Sequence, residues 1–85
     1  MRKVVVYSKD GCHLCEKVIS ELEKLKAIEN FDLTTQDITK NPEVFERYKN
    51  IIPVVAVNGR VKLAGAAVSE LNDLEHLLKK AIINH

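Results

Sequence analysis

The sequence predicts a single α/β domain over residues 1–85, in which a four-stranded mixed sheet is flanked by helices. Three observations carry this prediction: a buried strand in residues 3–8, an apolar helical repeat from Cys12 to about Ile28, and a hairpin at Asn58-Gly59. A βαβ unit makes its strands parallel, whereas a hairpin makes its strands antiparallel, so the sheet has to be mixed. The predicted order of elements is βαβ-α-ββ-α.

The first half of the chain supplies a strand, a helix and a second strand. Residues 3–8 contain the apolar run Val4-Val5-Val6-Tyr7, in which the three valines are β-branched, and such a run is typical of a strand buried on both faces. Phe31 to Ile38 indicates a second strand, because Phe31, Leu33 and Thr35 alternate with polar neighbours. The helix between the two strands carries a set of residues at helical spacing, namely Cys15, Val18, Ile19, Leu22 and Leu25.

The second half supplies a helix, a hairpin and a last helix. Asn41-Pro42-Glu43 offers an N-cap residue, a proline at the first helical position and an acid in the first turn. Residues 54–57 and 61–63 flank Asn58-Gly59, a dipeptide suited to the positive φ angles of a two-residue turn. Ser69 can cap the last helix. The apolar residues predicted on that helix are Leu71, Leu74, Leu78 and Ile82.

Composition and charge narrow the range of partners. Hydrophobic residues make up 46% of the chain and charged residues 29%, and the net charge is +1 with no long block of either sign. Nucleic acid and membrane are therefore not expected as partners. No apolar run approaches the roughly 20 residues of a membrane span, and residues 1–3 lead into a strand rather than a signal-peptide core. These features predict a cytoplasmic protein, which we expect to be a monomer.

The pair Cys12 and Cys15 opens the first helix and predicts redox chemistry. Residues three apart on a helix have Cα atoms about 5–6 Å apart, so these two thiols can form a disulfide and reopen it with little backbone movement. Free N–H groups at the helix start favour a thiolate at Cys12, and Lys9 and His13 are candidates for tuning its pKa. Cys12 is therefore the predicted nucleophile. The deeper Cys15 is the predicted resolving cysteine.

A metal site is the alternative use of the same two cysteines. A C-x-x-C pair is half of a zinc site, yet no second C-x-x-C or H-x₃₋₅-H follows in the chain to complete four ligands. A zinc ion or iron–sulfur cluster would need a second subunit or glutathione to supply the other ligands. A binding module that holds such a group through Cys12 and Cys15, for example as a dimer, stays open as a second function.

The order of elements, the motif Cys12-His13-Leu14-Cys15 and the pair Ile52-Pro53 before the hairpin together resemble the thioredoxin fold in its short, glutaredoxin-like form. The resemblance covers nearly the whole chain. It implies a dithiol–disulfide oxidoreductase with a thioredoxin-like fold, in which Pro53 is cis and faces the cysteine motif. It also implies that the backbone of Ile52 pairs with an extended substrate chain.

The sequence departs from both main branches of that superfamily, which leaves the reductant open. The chain has no tryptophan and so lacks the Trp-Cys-Gly-Pro-Cys motif of thioredoxins, and it also lacks the Cys-Pro-Tyr-Cys of typical glutaredoxins. Lys9 matches a lysine that glutaredoxins use on a glutathione carboxylate. Ile51, however, replaces their threonine, and residues 63–68 lack their acidic pair. The glycine that precedes that acidic pair in glutaredoxins is retained as Gly65. Gly65 either lets the backbone approach the substrate closely or ends the strand.

The resemblance thus predicts the chemical classes of the substrate and of the electron donor. The expected substrates are proteins with disulfides, or mixed disulfides with glutathione. The expected electron donor is either a protein resembling thioredoxin reductase or glutathione. Neither a resident cofactor nor a metal is expected.

Overall fold

A computed structural model describes residues 2–65, 78–80 and 82 of the chain. The described elements follow the predicted order: β1 (Arg2–Ser8), α1 (His13–Lys26), β2 (Phe31–Asp37), a 3₁₀ turn (Ile38–Lys40), α2 (Pro42–Tyr48), β3 (Val54–Val57) and β4 (Arg60–Leu63). Gly65, residues 78–80 and Ile82 have helical backbone. The predicted start of the last helix at Ser69, with Leu71 and Leu74, lies outside the described residues.

The four strands form one mixed sheet in the order β2-β1-β3-β4. β1 runs parallel to β2 and antiparallel to β3, and β3 and β4 are antiparallel neighbours. The turn between β3 and β4 is Asn58-Gly59, where φ is 52° and 84°, so the positive angles that the sequence predicted are present. The prediction of a mixed four-stranded sheet is confirmed.

Helix α1 packs its apolar face on the sheet and forms the main core. Val18 and Leu22 are fully buried, and Leu25 is nearly so. They form one cluster with alternate residues of the strands and with two residues of helical conformation near the C-terminus. The residues that join those of α1 in this cluster are Val4, Val6, Phe31, Val55, Val57, Leu78 and Ile82. Burying each such side chain contributes about 1.5–3 kcal/mol to folding, so this core fixes α1, and with it the cysteine motif at its start, against β1.

Helix α2 is short and makes defined contacts at both of its ends. The Asn41 side chain accepts hydrogen bonds from the N–H groups of Glu43 (3.0 Å) and Val44 (3.2 Å), which confirms the predicted N-cap. No residue of α2 is fully buried. At its other end the Tyr48 ring packs against Tyr7 of β1, with ring centroids 4.8 Å apart. This contact ties the end of α2 to the end of β1.

Within the part of the chain that the structure describes, no helix is both long enough and apolar enough to cross a membrane.

Candidate active site

The cysteine motif lies where β1 leads into α1. β1 ends at Ser8, and a short turn follows in which Gly11 has a φ of 81°, an angle that favours glycine. Cys12 is then the N-cap residue of α1, with an extended backbone, and His13 is the first residue of the helix. The turn thus places the Cys12 side chain at the free end of the helix.

Cys12 and Cys15 are joined in a disulfide, and their Cα atoms are 5.2 Å apart. This separation lies in the range expected for residues three apart at a helix start. The two cysteines differ in exposure, since Cys12 is half-buried whereas only 1% of Cys15 is exposed. Cys12 is therefore the more accessible of the two residues to molecules in solution.

The helix start provides a hydrogen bond to the Cys12 sulfur. The Cys15 N–H donates to Cys12 Sγ at 3.1 Å, and the Glu16 N–H donates to the Cys12 carbonyl, also at 3.1 Å. In the reduced protein the first of these bonds and the positive end of the helix dipole both favour a negative charge on the Cys12 sulfur. The local geometry thus suits a reactive thiolate.

The two candidate tuning residues lie on the exposed side of the motif. Lys9 is exposed in the turn before Cys12. The His13 side chain is 97% exposed, and its Nδ1 lies 3.9 Å from Glu16 Oε2. Since exposed charges interact weakly through water, any effect of these two residues on the Cys12 sulfur has to be modest.

The Ile52–Pro53 segment lies at the same end of the sheet as the motif. Tyr7 pairs with Val54 in the antiparallel β1–β3 ladder, so Pro53 comes beside Ser8 at the end of β1. The Ile52–Pro53 peptide bond is cis, as the resemblance implied. Pro53 is buried, whereas Ile52 is half-buried. The predicted docking segment is thus next to the loop that carries Cys12.

The backbone of this segment is held by hydrogen bonds at Ile51, the residue before Ile52. The Ile51 N–H donates to the Tyr48 carbonyl at 2.9 Å, and the Ile51 carbonyl accepts from the Gly65 N–H at 2.6 Å. Among the residues that the structure describes, neither backbone group of Ile52 makes a hydrogen bond. That an extended chain pairs with the backbone of Ile52, as antiparallel strands do, stays a prediction from the resemblance.

Gly65 is buried beneath this segment. A Cβ atom at this position would lie 2.6 Å from the Ile52 carbonyl oxygen and 2.8 Å from the Ile51 carbonyl oxygen. The sequence predicted that Gly65 either lets the backbone approach the substrate closely or ends the strand. It did not show that the approaching group is the docking segment. The role of Tyr48 in holding Ile51 was also missed, since nothing in the sequence indicates it.

Asp37 is the last residue of β2 and pairs with Ser8, so it lies at the edge of the sheet where the cysteine motif follows β1. The pKa of its carboxyl group is lowered. The Thr39 hydroxyl donates to Asp37 Oδ1 at 2.6 Å, and the Thr39 N–H donates to the same oxygen at 2.9 Å. These two bonds, helped by the charge of Lys40, hold the pKa of Asp37 below its ordinary value. Asp37 therefore stays ionised and caps the 3₁₀ turn that begins at Ile38.

Residues 2–65, 78–80 and 82 contain no group of three or more His, Cys, Asp or Glu side chains placed to hold a metal ion. Cys12 and Cys15 could therefore supply only two ligands from the described part of the chain.

Comparison with known proteins places this chain in a family. A family model described as Glutaredoxin-like domain (DUF836) matches residues 3–83. Protein Ne2328 from Nitrosomonas europaea, a solution NMR structure, is 26% identical with a TM-score of 0.73, and the match covers 95% of this chain and 91% of that chain. A malarial protein is 20% identical with a TM-score of 0.64, over 98% of this chain and 99% of that chain, and this likeness shows the fold alone. No match was found among curated proteins.

The fold is therefore thioredoxin-like, as predicted, with its four-stranded mixed sheet flanked by helices. The Cys12–Cys15 disulfide at the start of α1 supports a thioredoxin-like redox role for this fold. Because the family model spans nearly all of the sequence, the chain belongs to the Glutaredoxin-like domain (DUF836) family.

Proposed function

We propose that the protein is a dithiol–disulfide oxidoreductase that reduces or exchanges disulfides of protein substrates. The Cys12 thiolate attacks one sulfur of a substrate disulfide, which forms a Cys12–substrate disulfide and releases the other substrate sulfur as a thiolate. Cys15 then loses its proton and attacks the Cys12 sulfur, which forms the Cys12–Cys15 disulfide and releases the second substrate thiolate. The substrate thereby gains the two electrons that the dithiol loses.

The observation that carries this proposal is the difference between the two cysteines. Cys12 is reachable and its sulfur accepts a backbone hydrogen bond, whereas Cys15 is buried directly behind it. A nucleophile needs access and thiolate character, and a resolving cysteine needs to be close and shielded from other disulfides. The different exposure of the two cysteines supports these two proposed roles.

The docking segment supports an extended peptide as substrate. Ile52 presents free backbone groups among the described residues, and the neighbouring Ile51 is 39% exposed. Backbone hydrogen bonds and an apolar contact suit a polypeptide that carries the target disulfide. The donor that restores the Cys12–Cys15 dithiol is either a protein like thioredoxin reductase or glutathione, and Lys9 is the residue proposed to contact glutathione if it is used.

Reduction assays with two electron donors test this function. Insulin reduction is followed with glutathione plus its reductase and, in parallel, with a thioredoxin reductase. We expect turnover with at least one donor, and turnover should be lower with glutathione because residues 63–68 contain no acidic side chain to hold its amino group. Cys12→Ser is the control and should be inactive. Wild-type protein that is inactive with both donors would contradict the proposal, and efficient turnover at low glutathione would assign glutathione as donor.

A further inference from the structure

We infer that Gly65 is a positioning residue, which holds the docking segment Ile51–Pro53 in place for the substrate. The inference rests on the proposed function, because it concerns how that site presents the Ile52 backbone. Gly65 is buried and lies below the segment, so it acts on the substrate through Ile51 and Ile52 rather than by direct contact.

The contact between Gly65 and the segment is backbone to backbone. The Gly65 N–H donates to the Ile51 carbonyl at 2.6 Å. An added Cβ would lie 2.6 Å from the Ile52 oxygen, 2.8 Å from the Ile51 oxygen and 3.0 Å from the Ile51 carbonyl carbon. These separations are far shorter than a normal contact of about 3.5–4.0 Å between non-bonded heavy atoms. Since the atoms belong to the main chain, no change of rotamer can relieve the clash, and the segment itself would have to move.

The segment is held from two sides, so a shift at Gly65 is passed on to Ile52. Gly65 binds the Ile51 carbonyl, and the Tyr48 carbonyl binds the Ile51 N–H. Tyr48 is in turn packed on Tyr7 of the central strand. Ile52 lies between this fixed residue and the buried Pro53, and its own backbone groups have no hydrogen bond among the described residues. Displacing Ile51 and Ile52 therefore misplaces the Ile52 backbone groups that are proposed to meet a substrate.

The other two glycines of the chain show that this role is specific to Gly65. Gly11 and Gly59 have φ angles of 81° and 84°, which favour glycine, but a Cβ at either position would meet nothing within 4 Å. They are required for backbone angle, whereas Gly65 is required for space. Gly59→Ala is thus a matched control: it adds the same methyl group and strains the turn away from the docking segment.

The test separates substrate exchange from the reactivity of the Cys12 sulfur. In reduced protein, two rates are measured: exchange with a peptide that contains a disulfide, and alkylation of Cys12 by iodoacetamide, which needs no docking. Gly65→Ala should slow peptide exchange about tenfold or more, as expected for a misplaced binding group. Its alkylation rate should stay close to that of the wild type, and Gly59→Ala should leave both rates unchanged.

Three results would overturn the inference: wild-type exchange in Gly65→Ala, an equal loss of exchange in Gly59→Ala, or a parallel loss of exchange and alkylation in Gly65→Ala. If Gly65→Ala does not fold, Ala64→Gly takes its place, because it loosens the same backbone without adding atoms. That variant should lose exchange several-fold, and unchanged exchange would again overturn the inference. Wild-type protein that does not exchange disulfides would instead contradict the proposed function.

Discussion

At the scale of single residues, Cys12 and Cys15 carry the same thiol group in very different surroundings. The Cys15 side chain is buried, whereas Cys12 is half-buried and its sulfur accepts a hydrogen bond from the Cys15 N–H. In the reduced protein, iodoacetamide at mildly acidic pH should therefore label Cys12 well before Cys15, because only a reachable thiolate reacts quickly. Peptide mapping of the labelled protein measures the order. Faster labelling of Cys15 would reverse the assigned roles.

His13 remains a candidate for tuning the redox potential, with a small expected effect. An imidazole that favours the Cys12 thiolate stabilises the reduced form, so His13→Ala should make the reduction potential more negative. The side chain is 97% exposed and lies near Glu16, so the shift should stay below about 30 mV, the equivalent of about 1.4 kcal/mol for two electrons. Equilibration against a glutathione redox buffer measures it, with Lys26→Ala at the far end of α1 as control. An unchanged or less negative potential would leave His13 without this role.

The Asp37 carboxyl group gives a pH-dependent prediction. Because the pKa of Asp37 is lowered in the folded protein, the hydrogen bonds from Thr39 stabilise the fold at pH values above the pKa that Asp37 has in the unfolded chain. This stabilisation is lost as the pH falls through the lower pKa of the folded protein. Thr39→Val removes the hydroxyl donor, so it should raise the pKa of Asp37 towards its ordinary value. An NMR titration of the carboxyl carbon measures this, and Thr35→Val on the exposed part of β2 is the control. An Asp37 pKa that is the same in both variants would show that the hydroxyl bond is not the cause.

At the scale of secondary-structure elements, the N-cap of α2 is the feature with the clearest expected cost. α2 buries no residue fully, so its stability depends strongly on Asn41 and on the contact at Tyr48. Asn41→Ala should lower the free energy of unfolding by about 1 kcal/mol, because two N–H groups lose their acceptor. Urea denaturation measures the loss. The control is Asn50→Ala, at an exposed position just beyond the helix, which should lower the free energy of unfolding much less. Equal losses of stability in the two variants would show that the Asn41 cap does not stabilise α2.

The sequence was sufficient to predict the elements because each has a local cause. Apolar spacing, the Asn41 cap and the Asn58-Gly59 turn act within a few residues, and the structure contains each of them. Several boundaries differ by one or two residues from those predicted, and at two of them a side-chain cap is the cause. α1 begins at His13 because Cys12 is its N-cap, and β2 ends before Ile38 because Asp37 caps a 3₁₀ turn.

The site was only partly predictable, because half of it depends on contacts between distant segments. The cysteine pair, its place at a helix start and the cis bond before Pro53 were all expected, the last of these from the family resemblance. The packing of Gly65 beneath the Ile52 carbonyl depends on the path of the chain after β4. No local pattern encodes that path, so this part of the site emerged only from the structure.

At the scale of the whole molecule, the sheet order explains how the two parts of the site meet. β1 is central and antiparallel to β3, so the carboxyl end of β1 and the amino end of β3 lie at one edge of the sheet. The cysteine motif follows β1 and Pro53 precedes β3, and the two are therefore brought together although they are far apart in sequence. The proposed covalent chemistry and the proposed substrate docking thus come from two segments at one edge of the same sheet.

The most direct test of the central claim is to trap the intermediate. Cys15→Ser protein, reduced and mixed with a disulfide-containing protein such as insulin, cannot resolve the first exchange, so a mixed disulfide should accumulate. Mass spectrometry should locate that bond at Cys12, and Cys12→Ser treated in the same way should form little adduct because Cys15 is buried. Failure of Cys15→Ser to form an adduct, or equal adduct formation by the two variants, would contradict the account.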